Sequence, residues 1–181
     1  MRLLFLPIDI DLTGIEKFQQ LDKSIKLKAF NSWWESTLIT DETAEINNFS
    51  KITDQLPFTK ITALTHKIQS EVVPPHVDVY ATMAFEPGEG ENILANEPAG
   101  YRLVIHGKTD SLEVFTGKEW ITAQVPTVPC CYLINSTTAR HRVKYDENRE
   151  IIYVRGILDP DRHQALIQKS MEKYKEFSIS V

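Results

Sequence analysis

Short apolar runs with turn residues between them dominate the second half of the chain. From about Ile68 onward these runs are rich in residues that favour strands. The main ones are EVVPPHVDVYATMAF, YRLVIHG, SLEVFTGKEW, CCYLIN and EIIYVRGIL. The opening segment, MRLLFLPIDIDL, has the apolar character of a buried first strand, and Pro7 and Asp9 interrupt it before a signal-peptide core could form.

Two other segments have helical rather than alternating spacing. Residues 14–39 carry apolar residues at the spacing of one helix face, which predicts an N-terminal helix. In residues 159–177, Asp159 fits the capping position and Pro160 the first helical position of a C-terminal helix. Many short strands with a helix at each end predict a mainly β domain, either a jelly-roll or another small β-barrel backed by helices.

Composition narrows the class of protein. The 181 residues fit one domain, with 42% hydrophobic and 25% charged residues, which excludes a disordered chain or a coiled coil. A net charge of −5 is unlike that of a protein that binds nucleic acid through phosphate contacts. Cys130 and Cys131 are adjacent, which disfavours a disulfide and indicates reduced thiols. We therefore expect a cytoplasmic protein without a membrane span that acts on a small molecule or a peptide.

His76 and Asp78 form an H-x-D pair at the start of a strand-like run. Residues i and i+2 of an extended chain project to the same side, so the imidazole and the carboxylate can reach one point. His141 lies beside a later β-rich run and can supply a second imidazole. Two imidazoles and one carboxylate on one face of a metal leave open positions, an arrangement that suits non-haem Fe(II). Alone, an H-x-D pair also fits a capping aspartate beside a surface histidine.

The order of these motifs resembles that of the Fe(II)/2-oxoglutarate-dependent dioxygenases, and more narrowly their aspartyl/asparaginyl β-hydroxylase-like branch. The resemblance covers about residues 70–160 and contains H-x-D, YRLVIHG, a turn with glycine, CCYLINSTTARHRV and REIIYVRGILDP. It implies a double-stranded β-helix of the jelly-roll or cupin type. On this basis residues 1–67 form a helix-containing support, residues 68–158 the jelly-roll core, and residues 159–177 the C-terminal helix.

The resemblance also implies a role for individual residues. His76, Asp78 and His141 are the expected ligands of a catalytic Fe(II), with 2-oxoglutarate and O₂ as co-substrates. The resemblance also implies two residues of the 2-oxoglutarate site. His106 would help hold a carboxylate of 2-oxoglutarate, and Arg102 would support the site or contact an anionic group of the substrate.

The far carboxylate of 2-oxoglutarate calls for a guanidinium, since that group is planar, bidentate and always charged. Arg149 has the spacing nearest to that of the family, and Arg155 competes with it because positions 149 and 155 share one strand face. Residues 86–100, rich in glycine and acidic residues, are interpreted as a loop that covers the substrate.

The predicted function is hydroxylation of an amino acid, an Asp/Asn-type side chain or a related small molecule. Two alternatives are a cupin-type metal enzyme that does not use 2-oxoglutarate and a non-catalytic binding module on the same barrel. Of the remaining histidines, His66 and His163 are expected at the solvated surface.

Overall fold

The computed structural model describes residues 2–21, 32–78 and 100–181, and within these ranges the chain is mainly β. The helices are α1 (Asp41–Ile46), α2 (Ser50–Thr53) and α3 (Pro160–Tyr174), with 3-10 turns at Ile15–Lys17 and Lys175–Phe177. The strands are β1 (Leu3–Ile8), β2 (Trp34–Leu38), β3 (Phe58–Gln69), β4 (Val73–His76), β5 (Gly100–His106), β6 (Leu112–Phe115), β7 (Trp120–Thr122), β8 (Cys130–Ile134), β9 (His141–Val143), β10 (Glu150–Leu158) and β11 (Ile179–Ser180).

These strands form two antiparallel sheets, which confirms the expectation of a mainly β domain. The larger sheet has the order β11-β1-β8-β5-β10-β3-β2, and the smaller has the order β4-β9-β6-β7. Both are open in the described ranges and do not close on themselves as a barrel would. No helix among the described residues is both long enough and apolar enough to cross a lipid bilayer.

Two hydrophobic cores lie on opposite faces of the larger sheet. The first packs this sheet against the helices and includes Tyr101, Leu103, Ile105 and Ile152, with Leu166 of α3 at its margin. The second core contains residues of both sheets, among them Val104, Cys130 and Ile151 from the larger and Val114 and Val143 from the smaller. The alternation along β5 thus directs one set of side chains to the helices and the other to the space between the sheets.

The C-terminal helix begins where the sequence predicts. Asp159 is its Ncap residue, and its side chain accepts hydrogen bonds from the backbone N–H groups of Asp161 and Arg162. Pro160 occupies the first turn, where its missing N–H has no intrahelical partner to lose. The cysteine prediction is also confirmed, since Cys130 and Cys131 are free and buried. Burial raises the pKa of the Cys130 thiol to about 12.

The predicted helix over residues 14–39 is wrong wherever the structure describes those residues. Ile15–Lys17 forms a 3-10 turn, and Trp34–Leu38 is strand β2, paired antiparallel with β3. Residues 22–31 of this segment lie outside the described ranges. The pairing with β3 supplies hydrogen bonds that local spacing cannot reveal, so a long-range partner overrides the helical pattern.

Residues 1–67 contain the short helices α1 and α2 and also contribute to the main sheet. β1, β2 and β3 belong to the same sheet as β5, β8 and β10.

Two histidines expected at the surface are buried instead. His66 lies in β3, and its Nε2 contacts Glu150 Oε1 at 2.5 Å. His163 lies in α3, and its Nδ1 is 2.8 Å from the hydroxyl of Tyr101. In both cases a polar partner from a distant strand makes burial of the imidazole acceptable.

Candidate metal centre

The pairing of β4 with β9 brings two candidate ligands together. His76, the last residue of β4, is the register partner of His141, the first residue of β9. Directly opposed residues of antiparallel strands hold their side chains side by side, and the two imidazole centroids are 4.3 Å apart. The smaller sheet therefore joins two histidines that are far apart in sequence.

Asp78 completes a cluster with these two histidines. Its Oδ1 lies 3.4 Å from Nε2 of His76 and 3.8 Å from Nε2 of His141. One donor atom from each residue lies within 4.8 Å of the other two, and the described residues contain no other such group of three. Neighbouring ligands of a metal with bonds near 2.1 Å are about 3 Å apart. A small inward adjustment of these side chains would bring all three to bonding distance.

Backbone carbonyls fix the orientation of both imidazoles. Nδ1 of His76 is 2.8 Å from the Pro74 carbonyl oxygen, and Nδ1 of His141 is 3.1 Å from that of Ala139. Each Nδ1–H therefore donates to a carbonyl, which leaves the lone pair of Nε2 directed towards Asp78. Burial lowers the pKa of His141 to about 4, although Asp78 acts against this shift. His141 is thus neutral at pH 7, the form that binds metals.

Asp78 uses its second oxygen for a different contact. Arg102 donates from Nη2 to Oδ2 at 2.7 Å, while Oδ1 faces the two histidines. The backbone N–H of Asp78 donates to the carbonyl of Ser136 at 2.8 Å. Burial acts to raise the pKa of Asp78, but its contact with the imidazole of His76 and the charge of Arg102 hold it well below its usual range. The carboxylate is therefore ionised and held with one oxygen turned towards the histidines.

Arg102 is itself held in place by its surroundings. Its guanidinium lies over the ring of Tyr153, 4.8 Å from the centroid, and its Nη1 donates to the carbonyl of Gly100 at 3.2 Å. A Cβ at Gly100 would lie 2.6 Å from that Nη1, so a larger residue there would displace the guanidinium. The sequence motif YRLVIHG thus places Arg102 behind the carboxylate that faces the two histidines.

Arg149 is buried directly before β10, with 3% of its surface exposed. Its Nε has no hydrogen-bond partner among the described residues. Its charge lowers the pKa of Cys130, a residue of the core between the sheets, against the larger effect of burial. A buried N–H donor without a partner is costly, so this position fits a site for an anionic group.

Arg155 and His106 lie elsewhere. Arg155 is half-buried near the middle of β10. His106 is opposite Glu150 at a register irregularity of β5, with its side chain 50% exposed and its Nε2 3.9 Å from Glu150 Oε2. The structure does not bring His106 into the cluster of His76, Asp78 and His141.

Some residues of the site carry no signal in the sequence. Trp33 packs against His76 with ring centroids 4.9 Å apart, and Ser136 holds the backbone of Asp78. Tyr153 supports Arg102, and only its position on the face shared by residues 149 and 155 could have indicated this. Of the proposed covering loop, residues 86–99 lie outside the described ranges, and Gly100 begins β5.

The change Arg102→Gln is expected to weaken Mn(II) binding at this cluster by about 10- to 100-fold, because loss of an outer hydrogen bond to a ligand commonly has this effect. Arg142→Gln is a matched control: Arg142 follows His141 directly but pairs with Glu113 at 2.7 Å, away from Asp78. Titration of Mn(II) followed by the paramagnetic resonance signal of the free ion measures both variants. Equal affinities would show that Arg102 does not hold Asp78 for the metal.

Comparison with known proteins gives no family assignment. No protein-family model matches the chain, and a search of curated proteins finds no significant match. The evidence for function therefore comes from the motifs and from the geometry of this site.

Proposed function

We propose that this protein is a non-haem Fe(II)- and 2-oxoglutarate-dependent oxygenase that hydroxylates an amino acid, an Asp/Asn-type side chain or a related small molecule. The observation that carries the proposal is the cluster of His76, Asp78 and His141, whose donor atoms converge within 4.8 Å. Two imidazoles and one carboxylate on one face of the ion are the ligand set of non-haem Fe(II) oxygenases. The two open sheets are interpreted here as the two halves of a double-stranded β-helix.

The three donor atoms are of the types that bind Fe(II), and they face one another. Both Nε2 atoms carry free lone pairs because the Nδ1 atoms face carbonyl oxygens, and Asp78 is ionised. A bound Fe(II) would supply oxygen activation, in which one atom of O₂ enters a C–H bond of the substrate and the other enters succinate, as 2-oxoglutarate loses CO₂. The protein's own share is to hold the ligands on one side and leave the remaining positions open.

Arg149 supports the assignment of 2-oxoglutarate. Arg102, which donates to Asp78 of the cluster, is the register partner of Tyr153 on β10. Tyr153 therefore marks the position of the cluster along β10. Arg149 directly precedes β10 and lies four residues before Tyr153, which is about 13 Å along an extended strand. 2-Oxoglutarate is shorter than this interval, so the Arg149 side chain would have to extend towards the cluster to pair with its far carboxylate. That carboxylate would give Arg149 the anionic partner that the described residues do not provide.

The test is anaerobic titration of the Fe(II)-loaded protein with 2-oxoglutarate. Chelation by its 2-oxo and C1-carboxylate oxygens is expected to produce a weak visible charge-transfer band that saturates at one equivalent. Asp78→Ala, which removes a ligand, is expected to lose the band. Stoichiometric Fe(II) binding without any band would favour a metal enzyme that does not use 2-oxoglutarate, and failure to bind Fe(II) would favour a non-catalytic module.

A further inference from the structure

Lys67 is a cationic side chain that β3 places in the space between the two sheets. Its register partner on β10 is Ile151, which belongs to the core between the sheets. Directly opposed residues of antiparallel strands share a face of the sheet, so Lys67 is on this inner face as well. Its Nζ lies 5.5 Å from the ring centroid of Tyr153. The ammonium is therefore on the same face of the larger sheet as Tyr153 and its register partner Arg102.

The charge of Lys67 is not balanced by a neighbouring carboxylate. Among the described residues its ammonium takes part in no ion pair and no hydrogen bond, and it contacts the ring of Tyr153. Burial, followed by the charge of Arg102, lowers the pKa of Lys67 to about 8, while Asp78 acts to raise it and Arg155 lowers it further. Of these groups Asp78 alone is negative, and it already pairs with Arg102. An ammonium in such surroundings would be stabilised by an anion from outside the chain.

Lys67 is about halfway between the metal cluster and Arg149 along the larger sheet. Thr65, two residues before Lys67, is the register partner of Tyr153, which marks the position of the cluster. Gln69, two residues after Lys67, donates its backbone N–H to the carbonyl of Arg149. Each step of two residues is about 7 Å along the strand. A ligand that extends from the cluster towards Arg149 would therefore pass beside Lys67.

We propose that Lys67 binds a carboxylate of a small molecule in the space between the sheets. The identity of that molecule, either 2-oxoglutarate or the substrate, rests on the proposed function. An ammonium offers three hydrogen-bond donors to carboxylate oxygens. Its one unbalanced charge matches the single charge of a carboxylate, whereas a phosphate group brings about −1.5 to −2 at pH 7.

The first measurement follows Lys67 directly in the full chain without metal. Isotope-labelled lysine gives each lysine an NMR signal from its Cε, and the signal of Lys67 is identified by its absence from Lys67→Met. Acetate, exchanged for chloride at constant ionic strength, is expected to shift this signal to a saturating value. Lys60, an exposed lysine on the same strand, is the matched control and is expected to show no saturable shift. Equal responses of the two signals would overturn the inference.

Lys67→Met also tests whether the charge has a structural role instead. Methionine is similar in length and uncharged, so the variant removes the unbalanced ammonium without leaving a large cavity. It is expected to raise the melting temperature of the ligand-free protein by about 2–4 °C. A decrease of the same size would show that the ammonium stabilises the fold, and would count against a role in binding a ligand.

A second measurement distinguishes the two sources of the carboxylate. N-oxalylglycine, a stable mimic of 2-oxoglutarate, is titrated by calorimetry into the Mn(II)-loaded wild type, Lys67→Met and Lys60→Met. A loss of affinity of about tenfold in Lys67→Met alone would assign the carboxylate to 2-oxoglutarate, since one charge-assisted hydrogen bond is removed. Unchanged affinity would assign it to the substrate, provided that acetate still shifts the Lys67 signal when Zn(II) and N-oxalylglycine are bound. Unchanged affinity without that shift would overturn the inference.

A failure of the proposed function would be recognised separately. Absence of Mn(II) binding would refute the metal centre, and absence of N-oxalylglycine binding would refute the assignment of 2-oxoglutarate. The acetate shift in the metal-free chain depends on neither, so it tests Lys67 alone.

Discussion

The change His141→Ala is expected to abolish stoichiometric Fe(II) binding while the protein remains folded. His141 supplies one of three donor atoms in the cluster, and the two that remain, from His76 and Asp78, leave the ion mostly to water. The fold should persist because a domain of this length buries enough surface to be stable without a metal. Anaerobic calorimetry with Fe(II) measures binding, and far-ultraviolet circular dichroism measures the fold. His76→Ala is expected to behave in the same way.

His106→Ala is the matched control for this experiment, because His106 is half-exposed and lies outside the cluster. It is expected to bind one equivalent of Fe(II) with wild-type affinity. Retained stoichiometric binding in both His76→Ala and His141→Ala would place the metal elsewhere and remove the main support for the oxygenase proposal.

The second large effect is expected for Arg149→Ala, which should weaken 2-oxoglutarate binding to the Fe(II)-loaded protein. The change leaves a buried carboxylate without its counter-charge. Truncating one partner of such a pair costs about 2–5 kcal/mol, or roughly 30-fold to several-thousand-fold in affinity. Arg155→Ala is expected to change 2-oxoglutarate affinity by less than about threefold, because Arg155 is half-buried and lies beyond Tyr153. Titration of the charge-transfer band gives both values.

Metal binding is the internal control for the two arginine variants. Neither guanidinium can be a ligand, so both variants are expected to bind Fe(II) normally. A large loss for Arg155→Ala with none for Arg149→Ala would move the 2-oxoglutarate anchor to Arg155. No loss in either variant would leave the assignment of 2-oxoglutarate without its main support.

The sequence correctly predicts those helices and strands whose local residue preferences agree with the elements that they pack against. β5, β8 and β10 are apolar runs that lie within the larger sheet, and the Asp159–Pro160 cap begins α3 at the predicted residue. The spacing predicts a helix for the segment that forms β2, because spacing within one segment contains no information about a partner strand. The burial of His66 has no local signal for the same reason, since its partner Glu150 lies on a different strand.

The candidate metal centre was partly accessible from sequence. H-x-D spacing places two ligands on one side of an extended chain, and the structure brings His141 to the same point. The contacts that hold Asp78 and Arg102 in place could not be predicted in this way. Ser136 contacts Asp78, and Tyr153 contacts Arg102, although the two residues of each pair are far apart in the sequence. Such contacts depend on strand register, which local residue patterns do not determine.

The register between β4 and β9 has a consequence for folding thermodynamics. Among the described residues β4 is the edge strand of the smaller sheet, and it has four residues, of which His76 is the last. An ion that links His76 to His141 would cross-link this edge strand to its neighbour, so that docking of β4 and assembly of the ligand set become one cooperative event. By mass action, free ion at 100 times its dissociation constant would add about 2.7 kcal/mol to the free energy of unfolding. Iron supply in the surroundings would then regulate the lifetime of the folded chain as well as its chemistry.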